Sequence, residues 1–195
     1  MLTGDDMKKN PEATAVTRQN LVEAFCILLK KNPVQKITIH AISKKAGYNR
    51  STFYKYFLDV YDILEYVENL VLAQVKENFQ QNISPLNFEE TFFAAFTKIQ
   101  SDKAFYFDVL FNSDNRQRFI KRLIKEIAPI FMQTFNLSAE NIKSKYLVEM
   151  YLQTVLTALI CWLDNKRDIT LAELSKLIGN VLTCGVLPEI AKERI

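Results

Sequence analysis

The sequence predicts an all-α protein, and three observations support this fold class. The 195 residues include only four glycines and five prolines, and the abundant Leu, Ile, Lys, Glu and Gln favour helices. Apolar residues recur at spacings of three and four, and no segment combines strand alternation with hairpin turns. Hydrophobic residues make up 49% of the chain and charged residues 24%, which are globular proportions. We therefore expect about nine helices around an ordinary buried core.

The N-terminal region predicts a flexible arm followed by one helix. Residues 1–16 mix charged residues, Asn, Pro and Thr without periodicity. Thr17 is a candidate N-cap, and the pair Asn32-Pro33 is a candidate break. Between them lies an apolar stripe of Leu21, Ala24, Phe25, Leu28 and Leu29. We expect this stripe to pack on the segment that follows.

Residues 38–57, TIHAISKKAGYNRSTFYKYF, contain two short helical segments separated by a tight turn. Thr38 is a good N-cap for the first segment, and Asn49 can cap the second. Gly47 ends the first helix because glycine tolerates the left-handed backbone conformation of a C-terminal turn. Phe53 and Phe57 lie one turn apart on the second helix and are predicted to be core residues. Two helices joined by a short Gly-containing turn indicate a helix-turn-helix.

The charge pattern of this region agrees with a DNA-binding role. Seven cations and no Asp or Glu occur between Ala24 and Leu58. A lysine-rich run alone usually forms a solvated surface. Here the run coincides with the helix-turn-helix pattern, which favours neutralisation of DNA phosphates. The overall net charge of +3 is too small to identify a partner.

The run ITIHAISKKAGYNRSTFYKYFLDVYDIL resembles the DNA-binding signature of the TetR/AcrR-type (tetracycline-repressor) family. The resemblance covers roughly residues 17–72, with one departure at Val60, where the family often has Lys. It implies a transcriptional regulator that binds a double-stranded palindromic operator. It also implies a helix-turn-helix DNA-binding domain at 17–58, with the motif at 38–57, and a helical regulatory and dimerisation domain at 59–195.

The second helix of the motif carries the candidate DNA contacts, because its exposed face has cations and hydroxyls but no carboxylate. We expect base-edge contacts from Arg50, Ser51 and Thr52. Phosphate contacts are expected from Thr38, Lys44, Tyr54, Lys55 and Tyr56. Tyr48 and Asn49 complete the predicted DNA-binding set.

The middle of the chain predicts one long helix and an aromatic region. The long helix runs from Asp59 to about Gln81, and 82–87 is a break. Residues 88–135 hold ten of the fourteen phenylalanines, with breaks near 101–102 and 112–115 that suggest three helices. One interpretation is a packed core. The family resemblance adds another, an effector pocket for an apolar or aromatic small molecule. Its candidate lining is Phe92, Phe96, Phe105, Phe107, Phe111 and Phe119.

The C-terminal region predicts two long helices, at about 144–165 and 170–188, joined by a short charged turn. Their apolar stripes are wider than one partner helix requires. An intramolecular core explains part of this width. The family resemblance implies that the rest forms a homodimer surface. The candidate interface is Met150, Tyr151, Thr154, Ala158, Leu171, Leu174, Ile178 and Val181.

Motifs of enzymes, metal sites and membrane proteins are missing from the sequence. There is no Gly-rich phosphate loop, His-x-x-x-His, Cys-x-x-Cys or Gly-x-Ser-x-Gly, so we expect no enzyme activity, cofactor or metal. His40 is expected at the surface, and Cys26, Cys161 and Cys184 indicate no disulfide framework. Neither a signal peptide nor a transmembrane stretch is recognisable, which predicts a cytoplasmic location. The alternative function is a regulator or co-activator controlled by a protein partner, without a small-molecule effector.

Overall fold

The computed structural model describes residues 11–82, 88–111 and 114–185, which contain eight α-helices, one 3-10 helix and no strand. The all-α prediction is therefore confirmed. The helices are α1 (Pro11–Leu29), α2 (Ile39–Ala46), α3 (Arg50–Phe53), α4 (Val60–Asn82), α5 (Phe88–Phe111), α6 (Arg116–Thr134), α7 (Ile142–Asp164) and α8 (Leu171–Cys184), and the 3-10 helix is Val34–Lys36. The chain divides into two compact units, Met1–Val67 and Glu68–Ile195.

The first unit has a small apolar core built by the predicted stripes. Helix α1 packs on α2, and α2 packs on α3. The buried side chains include Leu21, Ala24, Phe25, Leu29, Ile42, Phe53 and Phe57. Leu28 and Ile39, which the same stripes include, are half-buried. The predicted three-helix core is thus present, with Phe53 and Phe57 inside it.

Helix α1 begins earlier than the sequence pattern indicated. Residues 11–16, expected within the arm, form its first turns, while 1–10 lie outside the described residues. Proline suits the first turn of a helix because its fixed φ is helical and its missing N–H would be unpaired there. Glu12 adds favourable negative charge at the same end. Thr17 is not the cap, since its hydroxyl donates to the Ala13 carbonyl within the helix at 2.9 Å.

The predicted caps of the helix-turn-helix are confirmed. The Thr38 side chain accepts from the Ala41 N–H at 3.1 Å, and Asn49 accepts from the Thr52 N–H at 3.0 Å. Gly47 has φ 78° and ψ 23°, the left-handed conformation that ends α2. Helix α3 is only four residues long, so Phe57 lies beyond its end, where its N–H still donates to the Phe53 carbonyl at 3.1 Å.

Helix α4 has a well-defined start. The Asp59 carboxylate accepts from the N–H groups of Tyr61 and Asp62 at 2.7 and 2.9 Å. The Asp62 carboxylate in turn accepts from the Leu58 N–H at 2.7 Å. These bonds satisfy amide groups that would otherwise have no partner at a helix N-terminus. Of the break predicted at 82–87, Asn82 is instead the last residue of α4, and 83–87 lie outside the described residues.

The second unit is a packed set of longer helices. Contacts join α5 to α8 and to α6, and α7 to both α6 and α8. Helix α5 contains a non-helical residue at Lys103 (φ −135°, ψ 17°), next to the break predicted at 101–102. The Trp162 indole N–H donates to the Ile169 carbonyl at 2.7 Å and ties the end of α7 to the following loop. A reciprocal capping box between Thr170 and Glu173 then starts α8.

Candidate functional site

Seven of the predicted DNA-contact residues, all exposed or half-buried, form a set that we call the recognition surface. It consists of Thr38, Lys44, Arg50, Ser51, Thr52, Tyr54 and Lys55. Thr52 is half-buried and the others are exposed. Tyr54 packs edge-on against the buried Phe53 ring, with the two ring centroids 5.9 Å apart. The surface is therefore held from below by the core of the unit.

The first turn of α3 is held in place by a single oxygen atom. The Asn49 Oδ1 accepts three hydrogen bonds, from the Thr52 N–H at 3.0 Å, the Ser51 hydroxyl at 2.6 Å and the Thr52 hydroxyl at 2.9 Å. Both hydroxyl hydrogens are thus used in the cap, while their oxygens keep lone pairs. Ser51 and Thr52 can accept hydrogen bonds from a partner without breaking this cap.

The cations of the recognition surface have no internal counter-charge. Within the described residues, Lys44, Arg50 and Lys55 form no ion pair. Their positive charge is therefore available to a partner. Exposed cations that carry no carboxylate among them are what phosphate binding requires.

Two predicted contact residues have a structural role in the first unit. The Tyr48 hydroxyl, half-buried, accepts from the Asn20 side chain of α1 at 3.0 Å. Tyr56 is half-buried beneath the Arg18 guanidinium, which lies 5.8 Å from the Tyr56 ring and 5.9 Å from the Tyr66 ring. Arg18 was not predicted, since no spacing pattern in α1 marks it. These two contacts connect α1 with Tyr56, which precedes α4, and with Tyr66, which lies in α4.

An apolar cavity of about 120 Å³ lies within the second unit. Five of the six predicted aromatic residues line it, namely Phe92, Phe96, Phe107, Phe111 and Phe119. Phe105 is not among the lining residues and instead packs on Tyr106, with ring centroids 5.6 Å apart. Ala95 and Ile99 of α5 and residues of α4, α6 and α7 supply the rest of the lining. Tyr151, predicted for the dimer interface, is one of these residues.

The aromatic lining is ordered by ring contacts. Phe107 and Phe111 are stacked, with centroids 4.2 Å apart, and Phe111 meets Phe119 edge-on at 5.6 Å. Phe96 meets both Phe107 and Trp162 edge-on, at 5.3 and 5.6 Å. Such arrangements are the favourable geometries for aromatic rings. These ring contacts therefore order the wall of the cavity.

An ion pair whose carboxylate is fully buried joins α4 to α6 in the same unit. The Glu68 side chain is completely buried, and its Oε2 lies 2.6 Å from the Arg122 Nη1 and 3.7 Å from the Arg118 Nη2. The Arg122 Nη2 also donates to the Asn69 Oδ1 at 2.5 Å. Breaking such a pair is costly because it leaves a buried charge without compensation. Sequence spacing did not identify it.

Not all of the residues predicted for the dimer interface are accessible on the surface of α7 and α8. Leu174 and Ile178 are 3% and 2% exposed, so they belong to the core of the protomer and are unavailable to a partner. Met150 is exposed, and Thr154, Ala158, Leu171 and Val181 are half-buried. The structure adds Ile142, Tyr146, Leu147 and Leu177 as exposed apolar residues. We call these nine accessible residues the α7/α8 face.

Helix α7 is also long and apolar enough to match a membrane span in length and composition. It is the one helix of the described residues that does so. Its other side carries buried residues such as Val148, Leu152 and Leu159, and it packs on α6 and α8. This setting is that of a core helix with one side exposed.

The cysteine and acidic side chains that the structure describes are not grouped in a way that suits a metal ion. No cluster of three or more His, Cys, Asp or Glu side chains suited to a metal occurs among the residues that the structure describes. Cys26 is buried, and burial raises the pKa of its thiol to about 12. It is therefore a protonated core side chain at neutral pH. Cys161 and Cys184 are free and exposed.

A helix-turn-helix unit followed in the chain by a larger all-helical unit defines a class of DNA-binding regulators with a separate regulatory part. Residues 86–184 match the family TetR_C_8, described as a transcriptional regulator C-terminal region. The chain belongs to the TetR family of transcriptional regulators. No curated protein is similar enough to match it.

Solved structures share the fold at low sequence identity. A TetR transcriptional regulator from Streptococcus agalactiae 2603V is 21% identical with a TM-score of 0.65, over 88% of this chain and 96% of that one. SmeT, the repressor of the Stenotrophomonas maltophilia multidrug efflux pump SmeDEF, is 17% identical with a TM-score of 0.61, over 88% and 90%. The fatty acid degradation regulator FadR from Bacillus halodurans is 14% identical with a TM-score of 0.61, over 92% and 98%.

Proposed function

We propose that this regulator acts in the cytoplasm as a repressor. It binds a palindromic operator as a homodimer and is released by a small, uncharged apolar or aromatic ligand. The observation that carries this proposal is the pairing, in one chain, of a capped cationic recognition surface with an aromatic cavity. Regulators of this family bind DNA and small-molecule effectors and form dimers. SmeT, which shares the fold, has been solved in a complex with triclosan.

Residue types and exposure support a division of the recognition surface into two roles. Arg50, Ser51 and Thr52 lie in the only turn of α3, where side chains at the start of a recognition helix reach base edges. Lys44 and Lys55 are exposed cations suited to phosphate contacts, which set the register on DNA. Thr38 and Tyr54 add exposed hydroxyls to this second group, whereas Tyr48, Asn49 and Tyr56 position the surface.

The proposed dimer is formed by the α7/α8 face. Ile142, Tyr146, Leu147 and Met150 are each at least 60% exposed in the single protomer. An apolar surface of this kind on a soluble domain marks an interaction site. Two helices from each protomer would form a four-helix contact with two-fold symmetry. A dimer also has a functional reason, because one four-residue recognition helix contacts too few base pairs for selective binding.

Ligand release requires a ligand that prefers the conformation with misplaced recognition surfaces. Helix α4 is a candidate for the coupling element. It begins in the first unit at Val60 and contributes Val71, Val75, Asn78 and Phe79 to the cavity lining. Cross-linking the two recognition units at operator spacing, roughly 34 to 36 Å, should abolish release by ligand. Release that persists in the cross-linked dimer would contradict this coupling.

Operator binding is tested by changing Arg50. We expect Arg50→Ala to weaken specific operator binding roughly 5- to 150-fold, the loss of one good base contact, while the fold is unchanged because the side chain is exposed. The operator is first obtained by selecting bound genomic fragments, and affinity is measured by fluorescence anisotropy at fixed salt. Lys121→Ala, which removes an exposed cation from α6, is the matched control. Equal affinities of the two variants would contradict the contact assignment.

Dimerisation is tested by placing a charge on the α7/α8 face. Met150→Arg should yield a folded monomer in analytical ultracentrifugation, because a buried unpaired charge disfavours the interface. Its operator affinity should fall toward the non-specific level, a loss of roughly a thousandfold or more. Gln117→Arg adds the same charge to an exposed position of α6 and should remain dimeric. A dimeric Met150→Arg would place the interface elsewhere.

The rival function, a regulator controlled by a protein partner without a small-molecule effector, makes a different prediction about the cavity. Under our proposal, apolar aromatic compounds raise the melting temperature and weaken the operator complex. A broad panel of such compounds that changes neither quantity would favour the rival. The two outcomes are separated by one set of thermal-shift and anisotropy measurements on the wild-type protein.

A further inference from the structure

The chemistry of the cavity lining restricts what can bind there. Nineteen described residues line the cavity and none of them is charged. Only Asn78 and Tyr151 carry a polar atom in the side chain. A charged ligand would lose its hydration without gaining a counter-charge from any of these residues. The lining therefore selects against ions and leaves two places where a polar group of a ligand could be recognised.

Asn78 has a buried side-chain amide whose N–H group forms a hydrogen bond and whose oxygen does not. It is 1% exposed, and its Nδ2 donates to the Ala95 carbonyl at 3.3 Å. This bond sets the orientation of the amide, because the opposite orientation would place two carbonyl oxygens against each other. The Oδ1 accepts no hydrogen bond from any described residue. A buried acceptor without a partner is unfavourable and is uncommon in folded proteins.

The second polar group, Tyr151, is neutral and packed. Its ring lies 4.5 Å from the Phe131 ring, centroid to centroid. Burial raises the pKa of its hydroxyl well above the ordinary value, so the hydroxyl stays protonated at neutral pH. Tyr151 therefore brings no negative charge to attract a cationic ligand. This leaves the Asn78 oxygen as the strongest acceptor in the lining with unused capacity.

We propose that the ligand of this cavity is an uncharged, mainly aromatic molecule carrying a hydroxyl or N–H group that donates a hydrogen bond to Asn78 Oδ1. This inference rests on the proposed function of the cavity as the effector site. The aromatic rings bury the apolar body of the ligand, and the single donor satisfies the unused oxygen. A site with few polar groups in an apolar lining gains its selectivity from those groups. Ligands without a donor would leave the acceptor unsatisfied and bind more weakly.

The test compares two probes of nearly equal shape, 2-naphthol, which has a donor, and 2-methylnaphthalene, which has none. Dissociation constants are measured by isothermal titration calorimetry on the wild type and on Asn78→Leu. The preference for 2-naphthol, expressed as the ratio of the two constants, should fall at least about fivefold in Asn78→Leu. Val75→Ala, one turn away in the same lining, is the control and should weaken both probes by a similar factor. Comparing ratios cancels the different hydration of the two probes.

Two further probes keep the test valid if Asn78→Leu does not fold. The wild type should bind 2-methoxynaphthalene, which is only an acceptor, at least about fivefold more weakly than 2-naphthol. It should bind the anion 2-naphthoate more weakly still. Equal binding of 2-naphthol and 2-methoxynaphthalene, or an unchanged ratio in Asn78→Leu, would overturn the role of Asn78. Tight binding of 2-naphthoate would overturn the requirement for an uncharged ligand.

The outcomes separate this inference from the proposed function. If the naphthalenes bind and weaken the operator complex without any preference for a donor, the cavity remains the effector site and only the hydrogen bond is wrong. If none of the probes binds to the wild type, both the ligand class and the role of the cavity as an aromatic effector site are contradicted.

Discussion

The two units of this regulator use their apolar and polar residues in opposite ways. In the first unit, side chains such as Phe53 fill a small core, and the polar groups proposed to meet DNA are outside. In the second unit, the aromatic side chains surround a cavity, so the proposed binding surface is apolar and inside. That unit also buries one charged group, the Glu68 carboxylate, which pairs with the partly exposed Arg122. An external site can be varied with little effect on stability, whereas an internal site forms part of the core.

The largest test of this comparison uses one phenylalanine from each unit. Phe53→Ala should lower the free energy of unfolding of the first unit by about 3–5 kcal/mol, because Phe53 is fully buried in a filled core. Phe92→Ala should cost less than about 2 kcal/mol, since a half-buried ring that lines a cavity has fewer packing partners to lose. Urea unfolding followed by circular dichroism measures both. Equal losses would mean that the cavity does not loosen the packing of its wall.

A smaller contrast lies within the second unit, between a buried and an exposed ion pair. Arg122→Ala should cost about 3 kcal/mol, because it removes the nearer partner of the fully buried Glu68 carboxylate. Arg116→Ala breaks a pair of 2.7 Å with the exposed Asp164 and should cost less than about 1 kcal/mol.

The double variant Glu68→Gln/Arg122→Ala checks the physical reason for this contrast. It should recover much of the loss, because no buried charge remains without a partner. If it is no more stable than Arg122→Ala, the loss arises from packing of the arginine side chain and not from the isolated carboxylate.

The smallest expected effect is a pH dependence at the start of α8. The Thr170 hydroxyl and the Thr170 backbone N–H both donate hydrogen bonds to the Glu173 carboxylate. These bonds, the hydroxyl's more than the N–H's, lower the pKa of that carboxyl group below its ordinary value of 4.5. A carboxylate with a lowered pKa stabilises the fold above the unfolded pKa, and this stabilisation is lost as the pH falls through the folded pKa. Wild type should therefore melt higher than Glu173→Gln near neutral pH, and the difference should shrink in acid. In a Thr170→Ala background the difference should be smaller at every pH.

The fold of the first unit could be predicted from sequence because its signals are local. Thr38, Gly47 and Asn49 act on residues at most three or four positions away, and each has the predicted conformation or hydrogen bond. The start of α1 is harder to predict, because a proline suits both an irregular arm and a helix N-terminus. The single-turn length of α3 has a different origin. Phe53 and Phe57 are both buried in the core of the unit. We attribute the short length of α3 to these tertiary contacts and not to the helix propensity of residues 50–57.

The sites of the second unit were less predictable because they depend on contacts between distant residues. The abundance of phenylalanine indicated an aromatic interior, but only the packing of α5 against other helices separates the lining Phe107 from Phe105. Asn78 did offer a signal, since it is a polar residue that follows the buried Val71 and Val75 at helical spacing. Leu174 and Ile178 follow the same spacing as the residues that we propose for the interface, and only the tertiary structure places them in the core.

Helix α3 has a consequence for any attempt to isolate DNA recognition from this protein. Four residues form one helical turn, and a single turn cannot pay the nucleation cost of helix formation in water. A synthetic peptide of residues 48–57 should therefore be unstructured and should not discriminate between DNA sequences. The shape of the recognition surface, which we propose binds the operator, exists only while Phe53 and Phe57 stay buried. Any condition that unfolds this small core should therefore abolish the proposed DNA binding, even if every residue of the cavity lining remained in place.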